Sequence, residues 1–210
     1  MFKRARIIIL FCVGTVACAS NNVASQVVEF RLDTTDMFGS SIDSIGVGEE
    51  FVLSAYTQHV NGYELEQDAG VFAAYLDIAF NENLAMVAGD IVYSPDYSNG
   101  KSGDVSSPGL IDNVGSVSSH ESLTPPGPDE FLVFSVPLLT LEPGILNFVG
   151  KESGESPMYD VLVHGANVPV PSDQINFGSA SINVVPEPAI APGPIALLVY
   201  VWFRRRRGMH

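Results

Sequence analysis

The sequence predicts an all-β domain, a sandwich or jelly roll of about nine strands, on three observations. Short runs rich in Val, Ile, Phe, Tyr and Thr recur between clusters of Gly, Pro, Asn, Asp and Ser. No window keeps a 3.6-residue apolar period over three turns, which a surface helix would need. About 160 residues lie between two terminal segments of different composition, the size of one ordinary domain.

The first segment, 1–19, has three parts. Lys3, Arg4 and Arg6 make a basic start, Ile7 to Val16 is mostly apolar, and Ala17-Cys18-Ala19 is a small-x-small exit. That order is a secretory signal peptide cleaved after Ala19. Its apolar run is shorter than the roughly 20 residues that cross a bilayer. A lipobox around Cys18 is the alternative, but Thr15 stands where such sites favour a large aliphatic residue. Cys12 and Cys18 are the only cysteines. Both leave with the signal, so the domain must hold itself together by its core.

Expected strands are Val27–Leu32, Glu50–Thr57, Val71–Phe80, Leu84–Val87, Leu110–Val117, Phe131–Leu138, Ile145–Val149, Asp160–His164 and Gln174–Val184. In Val71–Phe80, Phe72, Ala74, Leu76, Ile78 and Phe80 alternate onto the core face, leaving Val71, Ala73, Tyr75, Asp77 and Ala79 opposite. Phe131–Leu138 is apolar on both faces and reads as a central strand. In the last strand Ile175 and Phe177 are out of phase with Ala180, Ile182 and Val184, which predicts a β-bulge at Gly178-Ser179.

Between positions 20 and 185, only Arg31, Lys101 and Lys151 are basic against 23 acidic residues, a net charge of −20. Nucleic-acid binding is excluded, because it needs clustered Lys and Arg to displace counterions. The charge suits solubility, divalent cations, or a neutral or basic partner.

The second terminal segment, 186–210, completes Val185-Pro186-Glu187-Pro188, continues as a mostly apolar stretch from Ala189 to Phe203, and reaches Arg204-Arg205-Arg206-Arg207. It resembles the PEP-CTERM sorting signal, in which a Pro-Glu-Pro motif precedes a hydrophobic span and an arginine cluster. The resemblance implies an exosortase as processing partner and removal of the tail. The 15 apolar residues make a short hydrophobic helix of about 22 Å against a hydrocarbon core of roughly 30 Å, and Pro192 and Pro194 interrupt its start. Local thinning or snorkelling arginines must make up the difference. Four terminal arginines stay on the cytoplasmic side. The domain at 20–185 is therefore expected beyond the inner membrane, in the cell envelope or outside, at first anchored by its C-terminus. Trp202 marks the membrane interface.

Within the domain, Gly70-Val71-Phe72-Ala73-Ala74-Tyr75-Leu76-Asp77-Ile78-Ala79-Phe80-Asn81-Glu82-Asn83-Leu84 is similar to a strand and turn of the cohesin family. Phe131-Leu132-Val133-Phe134-Ser135-Val136 and Glu142-Pro143-Gly144-Ile145-Leu146 match that family's apolar strand and following Gly-led strand. The resemblance covers roughly Val47 to Val184. It implies a nine-stranded jelly roll whose outer sheet face binds a partner, which in cellulosomes is the calcium-loaded dockerin of a glycoside hydrolase. Dockerin-binding cohesins carry an Asn and an Asp on that strand's outer face. Here those positions hold Ala73 and Tyr75, and the turn Asp is Asn81.

No catalytic set stands out. His59, His120 and His164 are isolated, without the close ligand spacing of a zinc site. There is no Gly-x-Ser-x-Gly elbow. The run Asp96 to Asp104 is oxygen-rich, but its Gly falls at the fifth place instead of the EF-hand's sixth, so a polar connecting loop is expected over a Ca2+ site. Tyr75 and Asp77 form an outer-face pair, an aromatic platform beside an acceptor, and are the expected partner-binding residues. The expected function is a non-catalytic envelope module that binds polysaccharide or a dockerin-like protein. The alternatives are an exported hydrolase of matrix polysaccharide and a structural surface protein without a discrete ligand.

Overall fold

The computed structural model describes residues 26–61, 69–120, 127–154 and 159–187. The signal peptide, including Ala17 and Ala19, and the tail from Pro188 through Arg204, Arg205, Arg206 and Arg207 lie outside these residues. Among the described residues no helix is long and apolar enough to cross a membrane.

Thirteen strands are present among them: β1 (Val28–Thr35), β2 (Ser44–Gly46), β3 (Glu50–His59), β4 (Val71–Ala79), β5 (Ala85–Val87), β6 (Val92–Tyr93), β7 (Asn99–Asp104), β8 (Leu110–Val117), β9 (Phe131–Thr140), β10 (Gly144–Lys151), β11 (Leu162–Val163), β12 (Ile175–Asn176) and β13 (Ser179–Val185). One sheet runs β12-β1-β3-β9-β5, with β6 also on β9. The other runs β2-β13-β10-β4-β8-β7, with β11 also on β4. Pairing is antiparallel except where β12 meets β1 and β2 meets β13. Those two parallel pairs each lie at one edge of their sheet.

The sheets face each other because their strands alternate. In β1 Val28, Phe30, Leu32 and Thr34 are buried while Arg31 is exposed. Leu146 and Phe148 of β10 and Ile182 and Val184 of β13 do the same from the opposite sheet. Phe148 joins the layers, its ring 6.1 Å from Phe51 and 5.6 Å from Phe80. Tyr97, 1% exposed, enters the core with its hydroxyl donating to the Val71 carbonyl at 2.7 Å.

Three expectations are corrected. The last strand is not one bulged strand, because Ile175 and Asn176 pair with β1 in the first sheet and Ser179 onward pairs with β10 in the second. The phase slip marks a crossing between sheets, made at Gly178 with φ of 70°. A Cβ there would sit 2.3 Å from the Phe30 carbonyl oxygen, so the crossing needs a glycine. The oxygen-rich run is not a connecting loop. Asn99 to Asp104 forms β7, an edge strand whose backbone is satisfied by β8 despite a sequence of low β propensity. In β4, Ala74, Leu76 and Ile78 face the core as expected, but Phe72 is half-buried against His164 and Val71 joins the core instead. Phe131 onward is central as expected, with β3 on one edge and β5 and β6 on the other.

Candidate functional site

The outer face of β10 and β13 carries a strip of uncharged side chains on a very acidic domain. On β10, Leu146 and Phe148 point inward, so Ile145, Asn147 and Val149 point out, with Ile145 66% and Val149 44% exposed. On β13 the outward residues are Ser179, Ser181 and Asn183. Register sets them side by side: Ile145 opposite Asn183, Asn147 opposite Ser181, Val149 opposite Ser179. Half-buried Ala79 and Leu110 continue the strip across β4 and β8. Six exposed side chains without a charge stand out where 23 acids are spread over 20–185.

One end of the strip is charged and hydrogen-bonded. Lys151 is opposite Asp77 in the β10–β4 register. The Asp77 carboxylate accepts the Asn113 N–H at 2.8 Å. Burial pushes its pKa up, and that hydrogen bond only partly offsets the rise. Asn113 sits at a register shift of β8 with φ of 48°, a conformation asparagine tolerates. Its side chain accepts from Gly154 N–H and donates to Asp112, both at 2.9 Å, so the Asp77 corner is tied to the chain leaving β10.

Tyr75 is on the same face as Asp77 but is not an open platform. It is 4% exposed, packed edge-on to Tyr159 at 5.6 Å, and its hydroxyl donates to the Gly100 carbonyl. The cover comes from β7 and from the segment after β10, both far along the chain. Burial, then the Tyr159 hydroxyl, raises its pKa. Tyr75 instead forms part of the wall of a cleft of about 400 Å³, with Tyr159, Phe177, Glu152 and Asp160 around it.

The histidines are engaged separately. His59 is 1% exposed and its Nδ1 accepts the Gly70 N–H at 3.2 Å. His164 is 3% exposed against Phe72. His120 Nε2 lies 3.6 Å from Asp96 and its ring packs on Phe131. Among the described residues no three His, Cys, Asp or Glu side chains converge to hold a metal ion. Of the basic residues, Arg31 is engaged on the other sheet: it donates twice to Glu130 at 2.8 and 2.9 Å, pairs with Asp33 at 3.1 Å and lies over Tyr56. Glu130 drives its pKa up. Lys101 lies 5.6 Å over the Tyr93 ring.

The expected sorting residues divide. Val185 ends β13, Pro186 and Glu187 follow it exposed, and Pro188 lies outside the described residues. Sequence reasoning overlooked Ile145, Asn147 and Val149. The signal was present: Ile145-Leu146-Asn147-Phe148-Val149 carries apolar residues at both parities, more than one buried face requires.

No protein-family model matches the sequence, and no curated protein matches it. Solved structures do. The seventh ScaB type I cohesin of Pseudobacteroides cellulosolvens is similar with a TM-score of 0.52 at 10% identity, covering 79% of this chain and 96% of that one. A type I cohesin–dockerin complex from Clostridium thermocellum gives 0.50 at 13% identity, with 75% and 99% covered. A cohesin ScaC of Acetivibrio cellulolyticus in complex with the ScaB dockerin gives 0.50 at 10% identity, with 75% and 99% covered. At such identity the likeness is one of fold: this domain is a cohesin-like β-sandwich.

Proposed function

We propose that the chain is an exported, non-catalytic module that binds a dockerin-like protein through the outer face of β10 and β13. The carrying observation is the uncharged strip of Ile145, Asn147, Val149, Ser179, Ser181 and Asn183 on a domain with a charge of −20. Depletion of charge at the centre of a patch is the compositional mark of a protein interface. Two strands at about 4.8 Å spacing and five residues of length give only about 160 Å², so the strip is the centre of a larger interface. Lys151, Asp77 and Asp112 supply part of the polar rim. The fold likeness supports the same reading, since two of the similar cohesins were solved with dockerins bound.

Export and sorting belong to the same proposal. The signal peptide at 1–19 carries the domain out. The 186–210 tail holds it at the membrane until an exosortase processes it.

The test is capture of envelope proteins on the domain from Gln26 to Glu187, wild type and Val149→Glu, with affinity for the captured partner measured. A charge buried at the centre of an interface costs about 2–4 kcal/mol, so affinity falls about 30-fold or more. Unchanged affinity refutes the face. Capture of a glycan that is lost with Tyr159→Ala and kept with Val149→Glu moves the site to the cleft and restores polysaccharide as the ligand.

A further inference from the structure

Exposed apolar side chains gather at one end of the sandwich. Phe38 is 94% exposed, Met37 53%, Leu141 39% and Val185 38%. Thr35 pairs with Val52 and Glu50 with Leu139, placing the β1 hairpin tip and the β9–β10 turn at the same end. The Thr140 hydroxyl donates to the Gly46 carbonyl at 2.7 Å, and Gly46 pairs with Val185, which brings the end of β13 there too.

The tip is built to hold its phenyl ring outward. Thr35 bridges Ser41, and the Asp36 N–H donates to the Ser40 carbonyl at 2.8 Å. The Asp36 carboxylate accepts from the Phe38 N–H at 2.9 Å and the Ser40 N–H at 2.8 Å. Gly39 takes φ of 87° in open space to close the turn. A hydrogen-bonded turn that forgoes burial of a phenyl ring is made for something that covers it.

The chain path says what lies there. Val185 is the last strand residue, and the apolar stretch 189–203 begins four residues later. Four residues span at most about 14 Å, so this end cannot stand far from whatever holds that stretch. A 15-residue apolar span is also short for a bilayer, which draws its flanks down to the headgroups. We propose that this end of the sandwich docks on the lipid surface, with Met37 and Phe38 seated in the interfacial region beside the tail. Apolar and aromatic side chains on a fixed turn suit that region. Asp43, Glu49, Glu50, Glu142 and Glu187 are exposed at the same end, so the surface it fits is zwitterionic, and anionic headgroups repel it. The inference rests on the tail entering the membrane, as proposed above.

Trp202 is the only tryptophan, so it reports on the tail alone. The chain from Ser20 to His210 is reconstituted in phosphatidylcholine vesicles with and without brominated acyl chains. It is compared with a chain carrying Trp202→Phe and Phe38→Trp. Bromine should quench Trp202 in the first and the introduced indole in the second, by about half in each case, with blue-shifted emission. Replacing half of the lipid with phosphatidylglycerol should relieve the second quenching and leave the first. Quenching of Trp202 with a solvent-like, unquenched probe at position 38 overturns the docking and leaves the tail in the membrane. Loss of both overturns docking and membrane insertion together. A blue-shifted probe that bromine does not quench means that a second copy of the chain covers Phe38, which also overturns docking on lipid.

Discussion

Replacing Gly150 with alanine adds one methyl group where the chain has no room. Gly150 lies in β10, paired with Ile78 of β4, and its N–H donates to the Gly178 carbonyl at 3.1 Å. A Cβ there would stand 1.9 Å from the Phe177 carbonyl oxygen and 2.8 Å from its carbon. Real contacts stay beyond 3.0 Å, so the crossing from β12 to β13 must retreat by more than an ångström. That retreat pulls against Phe177 stacked on Phe30 and breaks the hydrogen bond to Gly178. Overpacking of this kind costs about 1–3 kcal/mol, and a lost hydrogen bond about 0.5–1.5 kcal/mol. The sum, about 1.5–4.5 kcal/mol, lowers the urea midpoint by roughly 0.8–2.2 M at an m-value of about 2 kcal/mol/M. The comparison is Gly39→Ala, which strains a φ of 87° but meets no atom within 4 Å. Its cost is the left-handed backbone alone, about 1–2 kcal/mol. Urea unfolding of the Gln26–Glu187 domain measures both. If Gly150→Ala shifts the midpoint less than Gly39→Ala does, the crossing is not where the two sheets are locked together.

Two further outcomes follow from buried polar groups. Tyr97→Phe removes the hydroxyl that satisfies the Val71 carbonyl inside the core, and should cost about 1–3 kcal/mol in the same unfolding assay with the fold unchanged. His164 is buried, and burial first, then nearby His120, lowers its pKa. The unfolded chain therefore takes up a proton near pH 6.5 that the folded chain refuses. This contribution to stability is whole above that pH and is lost as pH falls toward the lower folded pKa, with a slope of at most about 1.4 kcal/mol per pH unit. Unfolding midpoints from pH 8 to pH 5 should fall more steeply for wild type than for His164→Phe.

The central strands were legible because their side chains are sorted by one physical cause. β3, β4, β8, β9 and β10 sit inside their sheets, so burial imposes alternation or a continuous apolar run, and both leave a mark in sequence. β7 carries no such mark. An edge strand made of Asn, Gly, Lys, Ser, Gly and Asp is held by backbone pairing, which any sequence can make. The Gly178 crossing looked like a bulge because a change of sheet and an extra residue produce the same slip in phase. Tyr75 was misjudged for another reason. Alternation says which face a residue is on, and cannot say that Gly100 and Tyr159 return from elsewhere to cover that face. The uncharged strip was readable in part: Ile145 and Val149 break the parity of β10, while its neutrality appears only when β13 is set beside it.

The proposed partner site is the outer face of β10 and β13. Hydrogen exchange of the domain with and without its captured partner tests this most directly. Binding at that face adds protection in Gly144–Lys151 and Ser179–Val185 and leaves the opposite sheet at Val28–Thr35 and Glu50–His59 unchanged. Protection confined to the opposite sheet, or to the cleft beside Tyr159, would contradict it.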